Sequence, residues 1–387
     1  MLYLDNSATT RPLDEVVDAI VEVMKVHYGN PSSLYRLGME AEQLLNQSRT
    51  VIAQSLGVRP EWVVFTSGGT ESNNLAIKGT AYSYRSRGKH LITTEIEHAS
   101  VYECFRQLEE EGFRVTYLKP DSSGAVSVKA VEKALTPDTI LVSIMHVNNE
   151  TGVIQPIREI GEMLKNHPRI LFHVDAVQSV GKIPLVPEGW GIDLLSVSAH
   201  KLHGPKGVGL LLKREGLKLR PLLAGGGQEF GIRSGTENVP LIVGMAKALR
   251  IAMERRAEHM DKLYALRDAL IARLRDIPGI RLNGVQERGK VAPHIINFSI
   301  PGLKSEVVVH ALEQHGIYVS AGSACSSGDE KPSRVLLAMG LSEAEASSAI
   351  RVSLSPQLTE ADMDRFIQAL ETVIKTLKPA TKKGEIG

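Results

Sequence analysis

Two cysteines in 387 residues, Cys104 and Cys325, are too few for a disulfide framework. The chain therefore reads as a protein of a reducing, cytoplasmic compartment. It has almost no net charge. Its 45 basic and 44 acidic residues leave +1, so no global field draws it to nucleic acid or an anionic membrane. No run approaches the roughly 18 apolar residues of a membrane span. The opening MLYLDNSATT has neither the basic start nor the apolar core of a secretory signal. Internal repeats and low-complexity tracts are missing too. What remains, 43% apolar and 23% charged, is the balance of a soluble globular enzyme. The length suits two or three domains, or one large and one small.

From about residue 60 to 215 short β-branched runs alternate with helical stretches. The runs are Val63–Thr66, Leu91–Thr94, Val115–Leu118, Ile140–Val147, Ile170–Val174, Leu194–Val197 and Val208–Leu212. Helical patterns such as Ser100–Glu111 and Ile157–Asn166 separate several of them. Strands buried on both faces and spaced by helices predict an α/β fold with a mostly parallel sheet. Ligands bind such sheets beyond the strands' carboxyl ends. Pro240 to Arg275 reads as one long linking helix with Asn238 as its cap. Beyond it, strands at His294–Ser299 and Ile317–Ser320 and helices at Glu306–His315, Ser333–Ala338 and Glu360–Leu377 predict a smaller α+β unit.

Five polar clusters stand where these strands end. Ser67-Gly68-Gly69-Thr70-Glu71-Ser72 leaves backbone N–H groups free to hold a phosphate, though Gly-Gly serves any tight turn equally well. In Glu97-His98-Ala99-Ser100 the histidine either works on a flat ligand or caps the next helix. His146 to Gly152 carries turn formers and could be only a loop. Asp175 ends an apolar strand, with Gln178 one turn on, and a carboxylate there needs a positive partner. Lys201, in Ser198-Ala199-His200-Lys201, ends the run Ile192–Val197, where an ammonium is costly unless paired or chemically converted. Taken together, Lys201 and Asp175 say more than either alone. A pyridoxal phosphate enzyme needs a lysine for a Schiff base and an acid on the pyridinium nitrogen. Thr70, Ser198 and His200 are then phosphate donors. The following Gly-Pro-Lys-Gly lacks the spacing of a P-loop.

A second site is the stretch Ser320 to Gly328, in which Ala, Gly and Ser surround Cys325. Its composition predicts an arm that can move and a thiol kept for chemistry. Cys104, between Val101 and Leu108 on a helical pattern, reads as core.

With these residues in place, the chain resembles the cysteine desulfurases of the class-V aminotransferase family, fold-type I pyridoxal phosphate enzymes. The resemblance runs from Tyr3 to about Ser355. It rests on Tyr3–Thr10, Gly29–Ser33, Thr66–Asn74 (TSGGTESNN), Glu97–Val101, Asn148–Gly152, His173–Lys182, Ser198–Gly207 (SAHKLHGPKG), Arg233–Asn238, Gly322–Gly328 (GSACSSG) and Ala349–Ser355. It implies a large, mostly parallel sheet domain over 15–255 that binds pyridoxal 5′-phosphate. A smaller α+β domain, 1–14 with 256–378, would carry the cysteine, and 379–387 would be a disordered tail. It also implies roles. Lys201 is the Schiff-base lysine, Asp175 pairs with the pyridinium, and Gln178 reaches the ring hydroxyl. His98 stacks on the ring and moves protons. Gly69, Thr70, Ser198 and His200 hold the phosphate with Thr236 from the second subunit of a homodimer. Asn149 lies by cofactor and substrate, Arg351 and Asn30 bind the substrate carboxylate, and Cys325 takes up the sulfur as a persulfide. The implied reaction converts L-cysteine to L-alanine and hands sulfur to an acceptor protein, in iron–sulfur cluster assembly or tRNA thiolation. No metal site is implied.

Two features depart from the family pattern. Gly68-Gly69-Thr70 stands where many members have Gly-Ala-Thr. The final Ala380–Gly387 does not match the extension with which housekeeping members dock an iron–sulfur scaffold, which favours a dedicated sulfur donor, for example to a tRNA thiolation enzyme. Competing readings are a selenocysteine or cystine lyase on the same scaffold, a non-catalytic sulfur carrier, and an aminotransferase.

Overall fold

The computed structural model describes residues 1–321 and 332–377; Cys325 lies outside the described residues. In chain order the elements are β1 (Leu2–Tyr3), α1 (Asp14–Val26), α2 (Arg36–Leu56), β2 (Val63–Thr66), α3 (Gly69–Tyr84), β3 (His90–Thr94), α4 (Ala99–Glu110), β4 (Arg114–Leu118), α5 (Val128–Ala134), β5 (Thr139–Met145), α6 (Ile157–Leu164), β6 (Leu171–Asp175), β7 (Leu194–Ser198) and β8 (Gly209–Lys213). Next come α7 (Val239–Glu254), α8 (Arg256–Arg275), β9 (Arg281–Leu282), β10 (Ile295–Ser299), α9 (Ser305–Gln314), β11 (Ile317–Tyr318), β12 (Ser320–Ala321), α10 (Arg334–Ala338), α11 (Glu343–Ser347), β13 (Ala349–Ser353) and α12 (Glu360–Leu377).

The seven apolar runs of the first half form one sheet in the order β2-β8-β7-β6-β5-β3-β4. Its strands are parallel except β8, which runs against both neighbours. Every residue of β5, β6, β7 and β8 is buried, as a sheet covered on both faces requires. The fold is therefore the α/β architecture expected. A second, antiparallel sheet has the order β12-β13-β10-β9, and β1 pairs in parallel with β11. Two apolar cores result. One joins Leu45, Phe65, Ile144, Phe172 and Leu249 under the large sheet. The other joins Leu2 and Leu4 to Leu270, Phe298, Ile350 and Phe366.

The single helix expected over Pro240–Arg275 is corrected to two, α7 and α8, joined at Arg255 with φ −94° and ψ 3°. No glycine or proline marks the break. Its cause is tertiary: Ile242, Met245 and Leu249 bury in the first core, and Leu263, Leu266 and Leu270 in the second. One straight stripe cannot serve two cores. The run Ile317–Ser320 likewise splits, because Ile317 and Tyr318 pair with β1 while Ser320 and Ala321 pair with β13.

What matters for the site is where the chain crosses from strand to helix. Gly68, at φ 152°, turns the chain from β2 into α3 in a conformation that side chains resist. Gly209 lets β8 pass beneath that turn. A Cβ at Gly209 would lie 2.6 Å from the Val197 carbonyl oxygen and 2.7 Å from Gly68 Cα. The N-terminus of α3 is thus set directly over the carboxyl end of β7.

Candidate active site

A cavity of about 180 Å³ opens at these carboxyl ends. Asp175 at the end of β6, Ser198 at the end of β7, and His200 and Lys201 in the single 3-10 turn after it all line the cavity. Gly69, Thr70 and Asn73 reach it from the first turns of α3, and His98 from the cap of α4. Asn149 comes from the loop after β5, Gln178 from the loop after β6, and Arg351 from β13. Ten of the residues singled out from sequence therefore meet in one place.

Lys201 Nζ donates to the carbonyls of Ser7 at 2.5 Å and Ala8 at 2.7 Å. Asp175 is 6% exposed. Its Oδ2 accepts from Asn73 Nδ2 at 2.8 Å and its Oδ1 from the Val177 N–H at 3.0 Å. Asn73 also donates to Ser100 Oγ at 2.9 Å. His98 caps α4 by accepting the Ser100 N–H on Nδ1 at 3.1 Å, so a neutral ring carries its proton on Nε2. The cap, one of the two alternatives in the sequence, is observed, and the same ring lines the cavity. Burial, followed by the nearby lysines Lys201, Lys206 and Lys182, pushes His200 down to about 4, and a neutral ring sits beside Thr9 Oγ1 at 3.2 Å.

Arg351, 2% exposed, is the site's buried cation. It donates to the Asn149 carbonyl at 3.0 Å, to Asp5 Oδ1 at 2.8 Å and to Ser320 Oγ at 3.0 Å. Its Nε and the neighbouring Asn149 Oδ1 are buried with no hydrogen-bond partner. A donor and an acceptor left open on two residues of the same cavity lining suit a ligand with both functions. Behind His98, burial and then the Asp175 charge push the Glu97 carboxyl up to about 8, against hydrogen bonds from Thr94 and the Met145 N–H. Glu97 is therefore mostly neutral at pH 7.

Asn30 and Thr236 lie away from the cavity on the exposed surface, and Asn30 Oδ1 accepts the Ser32 N–H at 2.9 Å. Cys104 is core, as expected: it is 2% exposed and burial pushes its thiol up to about 12. Sequence reasoning missed Ser7, Asn73 and Ser100. Asn73 had a signal, lying one helical turn past Thr70. Ser7 had none, because its carbonyl rather than its side chain holds Lys201 and Gln178.

The family model for class-V aminotransferases matches residues 2–366. A cysteine desulfurase IscS from Clostridium botulinum is 44% identical over 375 residues, covering 97% of this chain and 94% of that protein. Among solved structures, a NifS-like protein superposes with a TM-score of 0.91 at 40% identity, covering 97% of this chain and 99% of the other. The structure of SspA in complex with cysteine superposes with a TM-score of 0.80 at 37% identity, covering 93% of this chain and all of that one. Likeness over nearly the whole length, together with a lysine, an acid and a helix N-terminus converging on one cavity, places this chain in the class-V aminotransferase family of pyridoxal phosphate-dependent enzymes.

Proposed function

We propose that this chain is a cysteine desulfurase that binds pyridoxal 5′-phosphate in the cavity around Lys201. The observation that carries the reading is the meeting of Lys201, Asp175 and the α3 N-terminus. The residues present fit the cofactor. A Cβ at Gly69 would stand 2.9 Å from Val177 Cγ2 and 3.6 Å from Ser198 Cβ, so glycine keeps a narrow cradle clear. A 16-residue helix starts there and favours a dianion at its N-terminus, where Thr70, Ser198 and His200 would hold the phosphate. His98 and Val177 would bracket the ring, Asp175 would face its nitrogen, and Gln178 its hydroxyl. When bound, the cofactor supplies an electron sink beside the substrate's α-carbon.

The chain's own residues do the rest. Arg351 binds the L-cysteine carboxylate with Asn149 beside it. Lys201 Nζ takes the α-proton, and His98 Nε2 moves a proton at the sulfur side. The Cys325 thiolate takes the sulfur. L-cysteine and one enzyme thiol become L-alanine and one enzyme persulfide, with no external oxidant or reductant. Sulfur then passes to an acceptor protein in iron–sulfur cluster assembly or tRNA thiolation.

We include a homodimer and a cytoplasmic setting in this reading. Tyr28, Leu34, Tyr35 and Met39 are exposed around Asn30, and Leu223 and Phe230 are exposed near Thr236. Pairing would cover them and bring Asn30 and Thr236 to a partner's cavity. Among the described residues no helix is long and apolar enough to cross a membrane.

The test is intact-mass spectrometry after L-cysteine, with and without reductant. One or more reducible sulfur atoms on Cys325, alanine in solution, and a borohydride-fixed adduct on Lys201 are expected. Sulfide release that survives in Cys325→Ser with no bound sulfur points to a lyase instead. No adduct on Lys201 sinks the reading.

A further inference from the structure

The helix end assigned above to the cofactor phosphate carries a negative charge of its own. Glu71 is the acidic residue in the first turn of α3, next to Thr70. The leading N–H groups of a helix have no partner within it, and its N-terminus attracts anions. A first-turn carboxylate takes up part of that attraction and repels a second anion brought to the same turn. Gly69 and Thr70 line the cavity and Glu71 does not. Glu71 therefore acts on the site through its charge, not by contact.

Arg233 meets that charge. Its Nε donates to Glu71 Oε1 at 2.8 Å and its Nη2 to Glu71 Oε2 at 3.3 Å, so the guanidinium grips both oxygens. The two side chains are only 22% and 17% exposed, which limits screening by salt. Glu71 Oε2 also accepts the Ser67 N–H at 2.7 Å and ties the glycine turn to the helix it opens. Burial alone would raise the Glu71 carboxyl. The contacts with Arg233 and Ser67 outweigh it and hold the carboxyl below its usual range, so Glu71 is charged at neutral pH. The loop that presents Arg233 is itself fixed. Glu229, four residues earlier, meets Arg49 at 2.6 Å and accepts the Phe65 N–H of β2 at 2.7 Å.

We propose that Arg233 is a positioning residue for the phosphate end of the site: by pairing with Glu71 it cancels the first-turn charge of α3 and leaves that N-terminus to the cofactor's dianion. The proposal rests on the cofactor reading, with the phosphate at Gly69 and Thr70. Its test needs no turnover. The full-length chain, freed of cofactor with hydroxylamine and dialysed, is titrated by absorbance with pyridoxal 5′-phosphate and with pyridoxal, which lacks the phosphate. The ratio of the two affinities isolates the phosphate's share. Arg233→Met should lower that ratio about 5-fold or more. Glu71→Gln removes the charge, keeps an oxygen for the Ser67 N–H and leaves Arg233 cationic, so its ratio should hold or rise. The double variant should return close to the wild type. A clamp that served only to hold the loop would be loosened by either single change. An unchanged ratio in Arg233→Met, or a ratio lowered as much in Glu71→Gln as in Arg233→Met, overturns the proposal. If Arg233→Met does not fold, Glu71→Gln decides alone: a lowered ratio refutes it and a held or raised one supports it. Failure of the cofactor reading would show separately, as a wild-type chain that binds pyridoxal 5′-phosphate no better than pyridoxal, and the proposal would fall with it.

Discussion

Glu97 carries a proton that the unfolded chain would release. Its carboxyl is raised from 4.5 to about 8, mainly by burial. Between those values the folded state binds more protons than the unfolded state, so this residue's contribution to stability falls as pH rises and levels off above about 8. Glu97→Gln removes the proton but keeps an oxygen for Thr94 and Met145. Its stability relative to the wild type should climb from about pH 5 to about pH 8 in urea unfolding; parallel profiles would refute the assignment. Arg351→Lys keeps the charge but loses the planar fork, so KM for L-cysteine should rise about 10-fold or more with the fold intact. At this scale the sequence was most informative where chemistry restricts the residue type. A lysine past a buried strand and an acid at another strand's end are expensive unless used, and that made Lys201 and Asp175 legible. Ser7 was illegible because any residue offers a carbonyl. Glu97 was visible beside His98, but its neutral state depends on what the fold packs over it.

The elements were readable in proportion to how locally they are decided. All seven strands of the large sheet lie within two residues of their expected ends, since continuous apolar runs between turns have few other uses. The helices α1 and α2 and the strand β13 were not assigned, and the break at Arg255 has no local mark. Each depends on which core the segment meets. The loop carrying Arg233 was unreadable as structure for the same reason. It is held from beneath by Arg49, whose guanidinium meets Glu229 at 2.6 Å, with side chains 8% and 1% exposed. Glu229 Oε2 also accepts the Phe65 N–H of β2 at 2.7 Å. Four residues on, Arg233 Nε holds Glu71 Oε1 of α3 at 2.8 Å. Removing one partner of a buried pair strands the other, so Arg49→Met should cost about 3–5 kcal/mol. The double variant with Glu229→Gln should regain part of it, measured by denaturant midpoint. Gly209→Ala forces backbone apart under the α3 turn. It should cost about 1–3 kcal/mol and weaken cofactor retention more than it slows turnover of the loaded enzyme.

At the scale of the molecule, the exposed apolar side chains of α1, α2 and the link between them ask for a partner surface. If the homodimer proposed above uses this face, Leu34→Asp with Tyr35→Asp should shift the mass measured by light scattering from two chains to one and lower cofactor occupancy. A variant that stays dimeric would place the interface elsewhere.

The N-terminal residues have a consequence for biosynthesis. Asp5 meets Arg351, the Ser7 and Ala8 carbonyls meet Lys201, and Thr10 meets the His200 carbonyl. A ribosome therefore makes one wall of the reaction vessel first and must translate some 340 further codons before β13 arrives to close it. Until then the lysine is present but its surroundings are incomplete. A nascent chain short of β13 lacks Arg351, and with it the cation proposed above to bind the substrate carboxylate.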